Sequence, residues 1–237
     1  AQVTVLSTAM LVAHALPIEV KIAQSAGTRF VFQALSRIGG GFVLGWLLHQ
    51  LYSLTGWLQG PNVIFWQGEV PTHPSLWSWA LNQATNLGLI FLIILALVLL
   101  MRIMHRLRIV DALIWLLRPV LHFLGIGREA ATLTIIGTVM GLTYGGGLII
   151  QESKSGQVAP QDVFSSLTLM GLTHSLIEDT LLLSLLGAHM SGILWGRLVF
   201  SLLAVALLVR LLPLLPQKVV HRFLFVGRVQ GTTASRG

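Results

Sequence analysis

Long apolar runs interrupted by single polar residues set the plan of this chain. At about twenty apolar residues per membrane crossing, 30–51, 79–101 and 193–212 read as membrane helices. Two further runs, 3–26 and 163–186, are equally apolar yet contain His14, Glu19 and Lys21 in the first and His174, Glu178 and Asp179 in the second. Pro17 predicts a kink in the first of these, because proline removes a backbone donor and crowds the preceding turn. Between 109 and 124 the apolar residues recur at helical spacing around Asp111 and Arg118, which predicts a helix lying at the membrane interface. The stretch 52–78 has Trp57, Trp66, Trp77, Pro61, Pro71 and Pro74, a composition that fits an interfacial loop rather than a long helix.

The two ionisable runs are related. An offset of 160 residues carries Met10, His14, Leu16 and Glu19 onto Met170, His174, Leu176 and Asp179, and also Gly27 onto Gly187 and Arg37 onto Arg197. Histidine, acid and arginine are rare in so apolar a chain, so their coincidence predicts an internal duplication. The chain divides accordingly into a first repeat 1–51, a loop 52–78, a connecting membrane helix 79–101, an amphipathic segment 102–129, a second repeat 130–214 and a basic tail 215–237. The stretch 130–160 has no counterpart before Ala1, so the first repeat is expected to be completed by residues encoded upstream.

Composition places all of this in a bilayer. Hydrophobic residues make up 54% and charged residues 10%, with a mean hydropathy of +0.82, against roughly 25% charge in soluble domains. The formal charge of +7 comes from basic residues that punctuate the apolar runs. No basic stripe interleaved with aromatics is present, which argues against nucleic-acid binding. No Lys or Arg lies between 38 and 101, whereas Arg102, Arg106, Arg108, Arg118 and Arg128 follow, and Lys218, Arg222, Arg228 and Arg236 occupy the tail. Positive residues mark the cytoplasmic side, so the tryptophan loop is expected outside, and 102–129 and the tail inside. This topology requires 130–153 to enter and leave on one side as a re-entrant hairpin, which makes the repeats inverted. A single crossing by 130–153 would instead leave the tail outside and the repeats parallel.

Chemistry concentrates in two strings. In the first, Gly141-Leu-Thr-Tyr-Gly-Gly-Gly-Leu-Ile-Ile-Gln-Glu152, the glycines Gly145, Gly146 and Gly147 open the backbone to close approach. Thr143 and Tyr144 add hydroxyls, and Gln151 and Glu152 add polar termini. These residues suit a binding site or gate, or the close packing of helices. In the second, His174 and Glu178 stand four apart and would share a helical face, with Asp179 beside them. Intramembrane acids are costly unless paired, and so point to function. His14, Glu19, His174 and Glu178 together would suit zinc, ferrous iron or manganese, with His14, His174 and Glu178 as the metal ligands. The same set could bind a coupling proton or cation, or a polar solute. Arg37 and Arg197 are expected to reach the interface as anchors. No cysteine is present, and no Walker loop, nucleophile elbow, His-Glu-x-x-His or dinucleotide fingerprint occurs. The chain is therefore read as not an enzyme, although a metal-dependent membrane hydrolase is an alternative for His174, Glu178 and Asp179.

The string from Tyr144 to Glu152, followed by His174-Ser-Leu-Ile-Glu-Asp179, resembles the bacterial membrane proteins grouped as the nucleoside recognition or Gate domain family. The resemblance covers 132–212 and, through the repeat, 3–51. Related groups are the concentrative nucleoside transporters, the membrane part of ferrous iron permeases and the spore maturation membrane proteins. The resemblance implies an all-α polytopic fold with a hairpin and broken helices that form a gate, in the bacterial inner membrane. It implies transport of a small polar solute or cation, possible classes being nucleosides and divalent metals, with a non-transporting scaffold of the spore maturation type as the alternative. The expected partners are the lipid bilayer, the transported species and a second copy of the chain as homodimer.

Overall fold

The computed structural model describes residues 1–62, 75–156 and 158–226. The described residues form helices, plus one isolated antiparallel bridge between Thr28 and Phe225. In order the helices are α1 (Gln2–Ala13), α2 (Leu16–Ser25), α3 (Phe30–Thr55), α4 (Leu76–Arg106), α5 (Ile109–Phe123), α6 (Arg128–Met140) and α7 (Leu142–Ser155). There follow α8 (Pro160–Thr173), α9 (Glu178–Leu185), a π-helical turn at Ser191–Gly196 that leads into α10 (Arg197–Leu211), and α11 (Gln217–Phe223). Gln2–Ser25, Phe30–Thr55, Leu76–Met104 and Ser191–Leu214 are long and apolar enough to cross a membrane, which marks a membrane protein. Phe42, Trp46, Phe91 and Leu203 are among the many large apolar residues that stay exposed on these helices, as lipid contact requires.

Cross-contacts give the helices around the two ionisable segments their directions. At one end the Arg29 N–H donates to Leu224 O at 2.9 Å and the Val226 N–H to Gly27 O at 2.8 Å, so the start of α3 lies beside the residues that follow α10 and α11. At the other end Tyr52 Oη and Ser191 Oγ are 2.8 Å apart, which places the end of α3 at the start of the π turn. The segments α3 and α10 therefore run antiparallel. The His189 N–H donates to Thr4 Oγ1 at 3.0 Å, so α1 starts where α9 finishes, and α1–α2 and α8–α9 also run in opposite directions.

The stretch 130–153 folds back on itself. The Gly127 N–H donates to Asp162 Oδ2 at 3.2 Å, which ties the start of α6 to the start of α8, and α7 ends only a few residues before α8 begins. Both ends of the α6–α7 hairpin are thus on one side, where Ser153 Oγ donates to Ala26 O at 2.8 Å. The turn itself is Gly141 alone, at φ +100°, a conformation strained for residues with a Cβ. Gly145, Gly146 and Gly147, read from the sequence as opening the backbone to close approach, are wound into α7. A Cβ on Gly145 would run into the Gly137 backbone, whereas one on Gly147 would meet nothing within 4 Å. Close helix packing accounts for Gly145.

Gly145→Ala is therefore expected to destabilise the fold by about 1–3 kcal/mol through overpacking, and Gly147→Ala to leave it unchanged. Thermal unfolding in detergent reads both, and equal melting temperatures for the two variants would contradict this packing.

Candidate functional site

Both ionisable segments are broken helices, and the two breaks have the same form. His14 closes α1 in an extended conformation (φ −83°, ψ 169°), and Ala15 then turns left-handed at φ 51°. His174 closes α8 at φ −62°, ψ 158°, and Ser175 follows at φ 47°. The expected kink at Pro17 is displaced. The break precedes it, and Pro17 sits in the first turn of α2, where its missing N–H costs nothing. The second break forms with no proline at all. Both second halves end alike too, at Gly27 (φ +98°) and Gly187 (φ +84°).

At 1.5 Å per residue α1 and α2 extend about 18 and about 15 Å, and α8 and α9 about 21 and about 12 Å. Each pair together is thus about as long as a hydrocarbon layer about 30 Å thick, and the first lies in Gln2–Ser25, a segment long and apolar enough to cross a membrane. The antiparallel pairs bring the breaks face to face: His14 Nε2 and His174 Nε2 are 3.2 Å apart, and the ring centroids 4.6 Å apart. Each ring points its other nitrogen back at its own helix, His14 Nδ1 to Leu11 O at 3.0 Å and His174 Nδ1 to Gly171 O at 3.3 Å. Around the rings stand two acids. Glu19 Oε1 is 3.4 Å from His174 Nε2, and Asp179 Oδ2 is 3.7 Å from His14 Nε2.

The arginines expected at the interface are instead buried, Arg37 at 1% and Arg197 at 0% exposure. Arg37 closes the first break. Its Nε donates to Val12 O at 2.9 Å, one Nη to His14 O at 2.7 Å, and the other to the Glu19 carboxylate. One guanidinium so satisfies two carbonyls freed by the break and neutralises the buried acid. Arg197 does not repeat this. Among the described residues its three nitrogens have no hydrogen-bond acceptor, and its contact with Asp179 Oδ2 is 3.9 Å. The π turn supplies a reason: the Arg197 N–H reaches Gly192 O five residues back, whereas the matching stretch of α3 is α-helical. One added residue in the turn rotates the arginine relative to the break it would close.

Of the residues singled out by sequence, His14, Glu19, His174 and Asp179 come together. Glu178 is half-buried, and the compact group of His14, His174 and Asp179, whose ligand atoms all lie within 4.8 Å of one another, does not include it. Gln151 is exposed near the end of α7, and Glu152 accepts a hydrogen bond from Ser155. Gly145 and Gly146 are buried and Gly147 is exposed. The side chains of Thr143 and Tyr144 lie outside the described residues. The α6–α7 hairpin reaches the cluster through its tip: the Leu176 N–H donates to Thr138 O at 2.9 Å, and a Cβ on Gly141 would come within 2.7 Å of Ser175 Oγ. Met170 is fully buried against Gly137, but its counterpart Met10 is 55% exposed and lines a groove of about 330 Å³ with His14 and Phe42.

Compared with family models, curated proteins and solved structures, this chain matches none.

The contrast between the arginines is measurable. Arg37→Met leaves Glu19 and two carbonyls unpaired and is expected to cost about 3–5 kcal/mol, whereas Arg197→Met loses only the 3.9 Å contact with Asp179 and no hydrogen bond and is expected to cost less. Equal losses in detergent melting curves would contradict the difference between the halves.

Proposed function

We propose that this chain is a multi-pass transport protein of the bacterial inner membrane. Its two inverted repeats, 1–51 and 130–214, enclose a mid-membrane site for a small polar solute or cation. The observation that carries this reading is the meeting of two interrupted helices at His14 and His174, with Glu19 and Asp179 alongside. Repeat-built transporters place their sites at discontinuous helices near the midplane, and irregular backbone at that depth is tolerated only where protein or a wet cavity satisfies it. The antiparallel course of α3 and α10, which correspond at the 160-residue offset, supports inversion. So does the hairpin that starts and finishes on one side. The resemblance to the Gate domain family points the same way.

In this reading α6–α7 is a re-entrant gate. Its tip holds the second break through Thr138 and lies against Ser175 at Gly141, so withdrawal of the hairpin uncovers His174. The second half is the movable one. Asp179 Oδ2, Thr180 Oγ1 and the Arg197 nitrogens are buried without hydrogen-bond partners, whereas Arg37 locks the first half. A purely structural scaffold has no use for such unfilled donors and acceptors in its core, since each costs free energy unless something fills it.

Because no native cysteine is present, single cysteines report both topology and access. Gln59→Cys and Lys218→Cys are expected to react with impermeant maleimide from opposite sides of the membrane; reaction from the same side would overturn the inverted arrangement. Ser175→Cys in proteoliposomes is expected to react with a small impermeant thiosulfonate from at least one side. No reaction from either side would favour the scaffold.

A further inference from the structure

The histidine pair needs more hydrogens than two neutral imidazoles carry. Leu11 O and Gly171 O can only accept, so His14 Nδ1 at 3.0 Å and His174 Nδ1 at 3.3 Å must each hold the ring hydrogen. A neutral imidazole has one N–H, and its other nitrogen is an acceptor. The two Nε2 atoms therefore aim lone pairs at each other across 3.2 Å. Moving either hydrogen to Nε2 relieves that contact only by setting an Nδ1 lone pair against a carbonyl oxygen. Three contacts share two hydrogens, and a positive centre from outside the chain resolves all three.

A second observation favours a metal ion over a single proton, which could bridge the two Nε2 atoms but would leave the neighbouring carboxylate without a donor. Asp179 Oδ2 is buried without a hydrogen-bond donor, although it lies 3.7 Å from His14 Nε2. Three lone pairs thus converge, with all three atoms within 4.8 Å of one another, and Arg197 approaches Asp179 Oδ2 only to 3.9 Å, beyond hydrogen-bond distance. Glu19 is committed differently, through its ion pair with Arg37.

We propose that His14 Nε2, His174 Nε2 and Asp179 Oδ2 are the ligands of a divalent transition metal of the zinc, ferrous iron or manganese class. The proposal deepens the transport reading, on which it rests, by naming the ion that the same site takes. Two of the three separations, 3.2 and 3.7 Å, bracket the ~3.4 Å edge of a tetrahedron built on metal–ligand bonds of about 2.1 Å; the third, His174 Nε2 to Asp179 Oδ2, is longer, within 4.8 Å, and shortens on ligation. Metal-bound histidines characteristically donate the other ring N–H to a carbonyl or carboxylate, as both rings do here. Two imidazoles and one carboxylate suit borderline divalent metals. They do not suit calcium or magnesium, which take oxygen ligands, or copper(I), which takes sulfur. The fourth position falls to water or to Glu19 Oε1, 3.4 Å from His174 Nε2.

The test is a cobalt(II) titration of the detergent-purified full chain, read by visible absorption, with zinc as competitor. One equivalent of cobalt is expected to give tetrahedral absorption bands that zinc abolishes. His174→Gln and Asp179→Asn are each expected to weaken binding by about 100-fold or more, beyond the 10–100-fold typical of outer-shell changes. Glu178→Gln, which removes the same charge one residue away, is expected to bind as the parent does. Circular dichroism checks the fold of each variant, and the Asp179 and Glu178 pair decides the matter if His174→Gln does not fold. Absence of bands in the folded parent, or equal loss in Glu178→Gln and Asp179→Asn, would overturn the metal site. Vesicle uptake separates the two ideas: bands without uptake of the metal keep the site and remove the transport reading, and uptake of a polar solute by a chain that gives no bands removes the metal.

Discussion

A helix interrupted inside a bilayer exposes carbonyls and N–H groups that no water is there to satisfy, and the form of this protein follows from how it meets that demand. At the first break Arg37 takes Val12 O, His14 O and the Glu19 carboxylate in one fork. A planar guanidinium with five donors can do this, and a lysine could not. The acid makes the buried cation tolerable, the cation makes the buried acid tolerable, and together they hold the first segment in its broken form. With both segments broken and running in opposite senses, the two histidines that end α1 and α8 meet.

The second break is built from the same residues but is held differently. Its N–H at Leu176 is taken by Thr138 O of the α6–α7 hairpin, and among the described residues Arg197, behind a π turn, donates to no carbonyl of the break as Arg37 does. One half is self-sufficient, and the other depends on a hairpin that is itself a separate packing unit, closed by Gly141 and by the contact of Gly137 with Gly145. A core with one locked and one conditionally held half can change state at one place while keeping its frame. In the proposed function, that place is the hairpin tip.

Much of the frame was legible in the sequence. Apolar run lengths marked α3, α4 and α10, and the 160-residue offset paired His14 with His174 and Glu19 with Asp179. What escaped turned on backbone geometry. A continuous helix puts His174 and Glu178 on one face, but the left-handed Ser175 breaks that face and brings Asp179 to the cluster. The offset held the corrective signal, since Glu19 and Asp179 each follow their histidine by five residues. Arg37 and Arg197 were misplaced at the interface because long basic side chains usually snorkel. Each follows its acid by 18 positions, and that shared spacing was the available clue. The π turn has no evident mark in composition, so the difference between the two arginines was beyond the reach of sequence.

The meeting of the two breaks is the claim on which everything else depends, and it is open to direct measurement. With His14→Cys and His174→Cys introduced into the cysteine-free chain, a short bifunctional thiol reagent is applied in the membrane. The chain is then cut at a protease site engineered at Glu69, between the halves. The structure predicts that the fragments remain joined in the double variant and separate in either single variant. Fragments that separate in all three, from a protein whose thiols have reacted, would contradict it.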